Sequence, residues 1–140
     1  MTSIDKVNAS VIGKVQAVCP GIPFTAQEKL EEITRPAFKL ILDEVRSERC
    51  ATGMIRRVYP VELVYFASDI QRPKLECLEI YEKLESALLE YGALKASVDS
   101  QRAVLAIDFE VVQIDMTDDF EDDSEIGSGE DMENLEMEEF

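Results

Sequence analysis

The segment of this chain with metal-ligand spacing runs from Asp122 to Glu133, Asp-Asp-Ser-Glu-Ile-Gly-Ser-Gly-Glu-Asp-Met-Glu. It places Asp122 first, Gly127 sixth and Glu133 twelfth. In an EF-hand calcium loop a carboxylate opens the coordination sphere there, a glycine turns the chain and a bidentate glutamate closes the site. Ile126 stands fifth and offers no side-chain oxygen, and no strong helical pattern flanks the loop. The reading adopted is therefore a solvated acidic linker with no metal.

Other chemistries are bounded by what is missing. The chain has no histidine, which removes Ser-His and Cys-His nucleophile pairs, imidazole ligands and the usual proton shuttle near neutral pH. Gly-Lys-Val-Gln-Ala-Val-Cys-Pro-Gly, residues 13–21, lacks the spacing and the Lys-Ser/Thr pair of a phosphate-binding loop. Cys19, Cys50 and Cys77 are odd in number and widely spaced, so they read as reduced, buried or half-buried thiols of a cytosolic setting rather than a disulfide or zinc framework. No enzyme and no cofactor are expected. Arg56 and Arg57 are the basic pair that invites a role, as an anion patch or as an intersubunit partner for carboxylates. Strand alternation allows at most one of them on a core face, and that one would have to snorkel to water.

The charge is unevenly distributed. Residues 1–114 hold 17 acidic and all 14 basic side chains, whereas residues 115–140 hold 13 acidic and none that is basic. A near-neutral body therefore carries a polyanionic tail, which hydrates and repels itself as interaction tails do and makes nucleic acid a poor partner for it. Phe120, Ile126, Met132, Leu135, Met137 and Phe140 punctuate the tail, as in segments that dock through a few apolar anchors. The expected division is a folded domain over 1–116 and an acidic tail over 117–140 that docks on a neighbouring subunit or partner. The N-terminus has no signal-peptide pattern and no segment approaches the roughly 20 apolar residues of a membrane span. A soluble protein made inside a cell, with no membrane partner, is expected.

The elements that must carry these residues follow from periodicity. Ile4, Val7, Val11, Val15 and Val18 recur every three or four residues and predict a helix capped by Ser3 or Asp5 and ended by Cys19-Pro20-Gly21. Gly13 weakens it, so it should lean on something. A short strand is expected at Ile22 to Thr25, then a half-buried strand with Phe38, Leu40 and Leu42 on one face. After a turn containing Gly53 comes Met54 to Phe66, with Tyr59, Val61, Leu63 and Tyr65 on one face. Pro60 removes one N–H from that ladder, which places the resulting hairpin near a sheet margin. A second helix follows Ser68, Asp69 and Pro73, with the stripe Leu75, Leu78, Tyr81, Leu84, Leu88 and Tyr91 ending at Gly92. A last hairpin joins Ala-Leu-Lys-Ala-Ser-Val to Ala-Val-Leu-Ala-Ile-Asp-Phe-Glu-Val-Val-Gln-Ile, with Leu105, Ile107, Phe109 and Val111 on one face. The order α-β-β-β-α-β-β predicts an α+β sandwich, a mixed or antiparallel sheet packed by two helices.

Thr-Arg-Pro-Ala-Phe-Lys-Leu-Ile-Leu, Ile-Arg-Arg-Val-Tyr-Pro-Val-Glu-Leu-Val-Tyr-Phe, Glu-Cys-Leu-Glu-Ile-Tyr-Glu-Lys-Leu-Glu-Ser-Ala-Leu, Val-Asp-Ser-Gln-Arg-Ala-Val-Leu-Ala-Ile-Asp-Phe-Glu-Val and the acidic Met-Glu-Asn-Leu-Glu together resemble the tail terminator proteins of bacteriophages and prophages of Gram-positive hosts. The resemblance spans about residues 4–137. It implies an αβββαββ domain that forms a hexameric ring on the head-proximal end of the tail. Such a ring stops polymerisation of the tail tube, and of the sheath where there is one, and offers a joining surface to head–tail connector and neck proteins. It implies assembly in the host cytoplasm and residence in the virion tail, and it carries over no catalytic motif. The short second hairpin and the long acidic tail depart from that pattern. An alternative from another class is an acidic DNA mimic that inhibits a host nucleic-acid-binding protein, but its charge would have to be arrayed on a folded surface.

Overall fold

The computed structural model describes residues 2–116. Helix α1, Ser3–Val18, begins at a cap one residue earlier than expected. Thr2 is the N-cap, its side chain accepting from the Asp5 amide while the Asp5 carboxylate accepts from the Thr2 amide. Asp5 is thus half of a capping box rather than the cap itself. Val7, Val11 and Val15 are fully buried, but Ile4, 44% exposed, lies outside the stripe.

The expected strand at Ile22 to Thr25 shrinks to one parallel bridge between Phe24 and Phe38, and Pro23 removes one of the few backbone donors such a short ladder would use. Strand β1, Ala37–Ile41, follows, and then β2, Arg46–Ala51, in what the sequence suggested was a turn. Its Arg-Ser-Glu-Arg-Cys-Ala has no apolar alternation because all six positions are exposed. Gly53 at φ 74° makes the tight turn, a conformation that costs a side-chain-bearing residue energy, into β3, Met54–Phe66. The expected order therefore holds, but with β2 in place of the strand at 22–25.

Pro60 has a specific place in this topology. Residues 62–66 of β3 pair antiparallel with β1 and residues 54–58 with β2. Tyr59, Pro60 and Val61 face neither strand, so on that side the missing N–H falls where the ladder changes partner. The sheet order is β1-β3-β5-β4 with β2 also on β3. The margin belongs to β1 and β2; β3 itself is interior.

Helix α2, Pro73–Leu88, buries Pro73, Cys77, Ile80, Leu84 and Leu88. Its first half thus presents a different face from the one expected: Leu75 and Leu78 are 69% and 49% exposed. The two stripes share Leu84 and Leu88 and diverge toward the N-terminus, where the Cys77 face meets the core. Strands β4, Lys95–Asp99, and β5, Val104–Met116, form the last hairpin as the alternation requires, with Leu105, Ile107, Phe109 and Val111 buried.

The chain divides into two compact units, Met1–Glu44 with Tyr59–Val111, and Val45–Val58 with Val112–Phe140. In the first, α1 and α2 pack their apolar faces with the odd-numbered residues of β3 and β5 in one core. Burial of each large side chain there contributes about 1.5–3 kcal/mol. Ile33, Ala37, Val64 and Phe66 form a smaller second cluster. The described part of the second unit is β2, the start of β3 and the end of β5.

Candidate functional site

In the second unit the hairpin is built from a strand with no buried side chain. Strand β2 pairs with β3 alone among the described residues. Glu48 stands opposite Arg56 in register, and Arg56 Nη1 donates to Glu48 Oε2 at 3.2 Å. Arg57, opposite Ser47, donates to the Asp115 carboxylate near the end of β5. The two guanidiniums point to opposite faces, as period-two geometry demands. Each is held by a carboxylate of its own chain, and exposed cross-strand pairs of this kind stabilise by about 0.2–1 kcal/mol.

The Arg57 to Asp115 pair fixes which face of β5 is which. Val112, Ile114 and Met116 alternate with Gln113 and Asp115, so they share the opposite face, and they are 44%, 55% and 59% exposed. A one-sided strand pair with three solvated apolar side chains is an incomplete sheet, the form in which interaction surfaces occur on folded proteins.

Two clamps in the first unit escaped the sequence reading. Arg35 Nη1 donates to the carbonyls of Ala67 (3.0 Å) and Ala103 (2.8 Å), and Nη2 to that of Arg102 (2.7 Å). Its guanidinium also lies 5.7 Å from the Phe66 ring centroid. It ties the end of β3 to the β4–β5 turn, where Ala103 is fully buried at φ 58°. The second clamp is Glu76, which accepts from Tyr65 Oη (2.5 Å), the Ser68 amide (2.8 Å) and the Asp69 amide (2.9 Å). Ser68 and Asp69, expected as helix caps, instead hang on Glu76, while Asp69 Oδ1 accepts from the Gln71 and Arg72 amides. The available signal was Pro73 at the first helical position followed by an acid in the first turn.

These contacts set the titration of the clamp. Burial pushes the Glu76 carboxyl up, but hydrogen bonds from Tyr65, Ser68 and Asp69 outweigh it and hold the group below its usual value. Burial and then the bond to Glu76 push the Tyr65 phenol well above its usual value. Hydrogen-bonded to each other and, through Glu76, to the Ser68 and Asp69 amides, the pair pins the loop before α2.

The thiols are free: Cys19 and Cys77 are buried, but Cys50 on β2 is exposed, against expectation, because β2 has no covered face. Burial pushes the Cys77 thiol up to about 11, the direction of an inert structural cysteine. Among the described residues no group of three or more His, Cys, Asp and Glu could hold a metal, and no helix is long and apolar enough to cross a membrane. The loop Asp122–Glu133 and the anchors Phe120, Met132, Leu135, Met137 and Phe140 lie outside the described residues.

A family model described as "Phage tail terminator protein" matches residues 6–125, which takes in every strand, α2 and most of α1. No curated protein matches the chain.

Proposed function

This chain belongs to the phage tail terminator family, and from that premise we propose that it closes into a ring of six copies on the head-proximal end of the tail tube. The family is one of structural, non-enzymatic proteins of the virion tail. In our reading the ring ends polymerisation because one face matches the last tube ring and the other does not repeat the surface that a further tube ring needs. That other face then serves the connector and neck proteins, and a sheath protein meets the ring where the tail has a sheath.

The observation that carries the ring is β2, exposed at all six positions and paired on one side only. A closed ring of identical subunits uses two different surfaces on each copy, which meet head to tail. Strand β2 supplies one free edge, and β4, last in the sheet order and exposed at four of its five positions, supplies another. Val112, Ile114 and Met116 add apolar area on β5, across β3 from β2, and Arg56 and Arg57 of β3 lie at the resulting boundary. The acidic tail docks on an adjacent copy or partner through Phe120, Met132, Leu135, Met137 and Phe140.

The test pairs solution mass with assembly. Replacing Val112 and Ile114 with Asp is expected to convert rings to monomers in light scattering while leaving the fold intact, since both side chains are already solvated. Tails assembled without this protein are expected to overgrow and to fail to join heads. A wild-type protein that stays monomeric at high concentration, together with tails of normal length that join heads without it, overturns the reading.

A further inference from the structure

Helix α2 has an outward face that folding does not use. Cys77, Ile80, Leu84 and Leu88 pack into the core. At about 3.6 residues per turn the opposite side carries Leu75, Leu78, Glu79, Glu82 and, in the turn Leu89–Tyr91 that follows, Leu89. Leu75, Leu78 and Leu89 are each at least half-exposed, and Glu79 and Glu82 are exposed; Lys74 and Lys83 fall on the flanks of this face. Its N-terminal end borders an open groove of about 780 Å³ whose lining mixes Asp69, Glu76 and Glu79 with Arg72 and Lys74. Over residues 69–91 six carboxylates, one of them paired with Lys14, stand against three bases. The surface is apolar with a negative excess.

A surface of the complementary kind lies on the second unit. Val112, Ile114 and Met116 share one side of β5, and Arg56 of β3 is on that side because Arg57 and Asp115 meet on the other. Opposed residues of paired strands point the same way, so Arg46 and Glu48 of β2, which stand opposite Val58 and Arg56, join them. Glu110, next on that side of β5, belongs to the first unit. Residues 45–58 and 112–116 together hold four arginines and two carboxylates, an apolar surface with a positive excess.

We infer that this face of β2, β3 and β5 docks on the outward face of α2 of an adjacent copy, Val112, Ile114 and Met116 against the three leucines and Arg46 and Arg56 toward Glu79 and Glu82. The inference deepens the ring reading and rests on it. Two different patches, both apolar and opposite in sign, are what a head-to-tail contact needs, whereas a twofold contact of either patch with itself would set like charge against like. Helix α2 also packs beside β4, the strand whose outer edge the ring reading uses. In such contacts a few apolar anchors carry most of the energy and the charges set partner and register.

The experiment uses the full chain and follows ring mass by light scattering against concentration. Glu79→Arg/Glu82→Arg and Arg46→Glu/Arg56→Glu are each expected to raise the concentration at which rings form by about tenfold or more. The chain carrying all four substitutions is expected to recover most of that loss, because the signs match again; a merely structural role of these side chains predicts two additive losses. A second measurement leaves the charges untouched. With a benzophenone side chain at position 116 and an equal mixture of isotopically heavy and light copies, photolysis is expected to join position 116 to peptides containing Leu75 or Leu78 in heavy–light pairs. Intact rings in which position 116 joins only other segments, residues 117–140 included, overturn this inference and leave the ring reading standing. So do rings unweakened by either pair of substitutions, or a four-substitution chain that assembles no better than either pair alone. Absence of any oligomer in the wild type overturns the ring reading and this inference with it.

Discussion

Removing Arg35 should cost more stability than any other single surface-reaching side chain in the first unit. Its guanidinium makes three hydrogen bonds to backbone carbonyls, two of them at the fully buried Ala67 and Ala103. In Arg35→Ala the Ala103 carbonyl keeps the Ala67 amide at 2.9 Å, but the Ala67 carbonyl loses its guanidinium donor. Counting about 1.5 kcal/mol for each charge-assisted bond at a buried residue and about 0.5 kcal/mol for the exposed one gives a loss of about 3.5 kcal/mol. In a domain of this size that lowers Tm by roughly 10–15 °C. Arg35→Lys should recover no more than about a third, since an ammonium cannot reproduce the planar fork that reaches all three acceptors. Urea titration followed by circular dichroism reads both variants. A loss below about 1 kcal/mol for Arg35→Ala, or full recovery in Arg35→Lys, would refute the clamp as the link between β3 and the β4–β5 turn.

Three other substitutions probe the rest of the fold. Leu84→Ala should cost about 2–5 kcal/mol as a core cavity, while Leu75→Ala, at an exposed site of the same helix, should stay within about 0.5 kcal/mol; equal costs in denaturant titration would contradict the observed burial face. Glu76→Gln should lose about 1–2 kcal/mol at neutral pH. Because the folded carboxyl titrates below its ordinary value of about 4.3, its contribution is present above that pH and fades as pH falls through the folded value. The gap between wild type and Glu76→Gln should therefore shrink in acid; a gap independent of pH between 7 and 2.5 would count against an ionised clamp. Gly13→Ala should stabilise by about 0.5–1 kcal/mol, since an added Cβ meets no atom within 4 Å and helical glycine is entropically costly. A lower Tm for that variant would show that α1 needs its glycine.

What the sequence determined by itself was everything whose cause is local. Valine spacing in α1, the odd-numbered stripes of β3 and β5 and the glycine turn at 53 state their element and buried face within one or two turns of chain, because side-chain direction repeats with backbone period. The family resemblance drawn from the same segments agrees with the match over residues 6–125. Strand β2 was not legible: a strand exposed on both faces has no alternation to read, and only its pairing with β3 defines it. Nor was the burial face of α2 decided locally. Its sequence carries two overlapping stripes, and the packed core chose the one through Cys77 and Ile80. The Arg35 clamp joins residues 32, 67 and 68 positions apart, and no local pattern encodes such a contact. Tertiary structure thus placed Pro60 where β3 changes partner and turned Leu75 and Leu78 outward, since both depend on which distant segments meet.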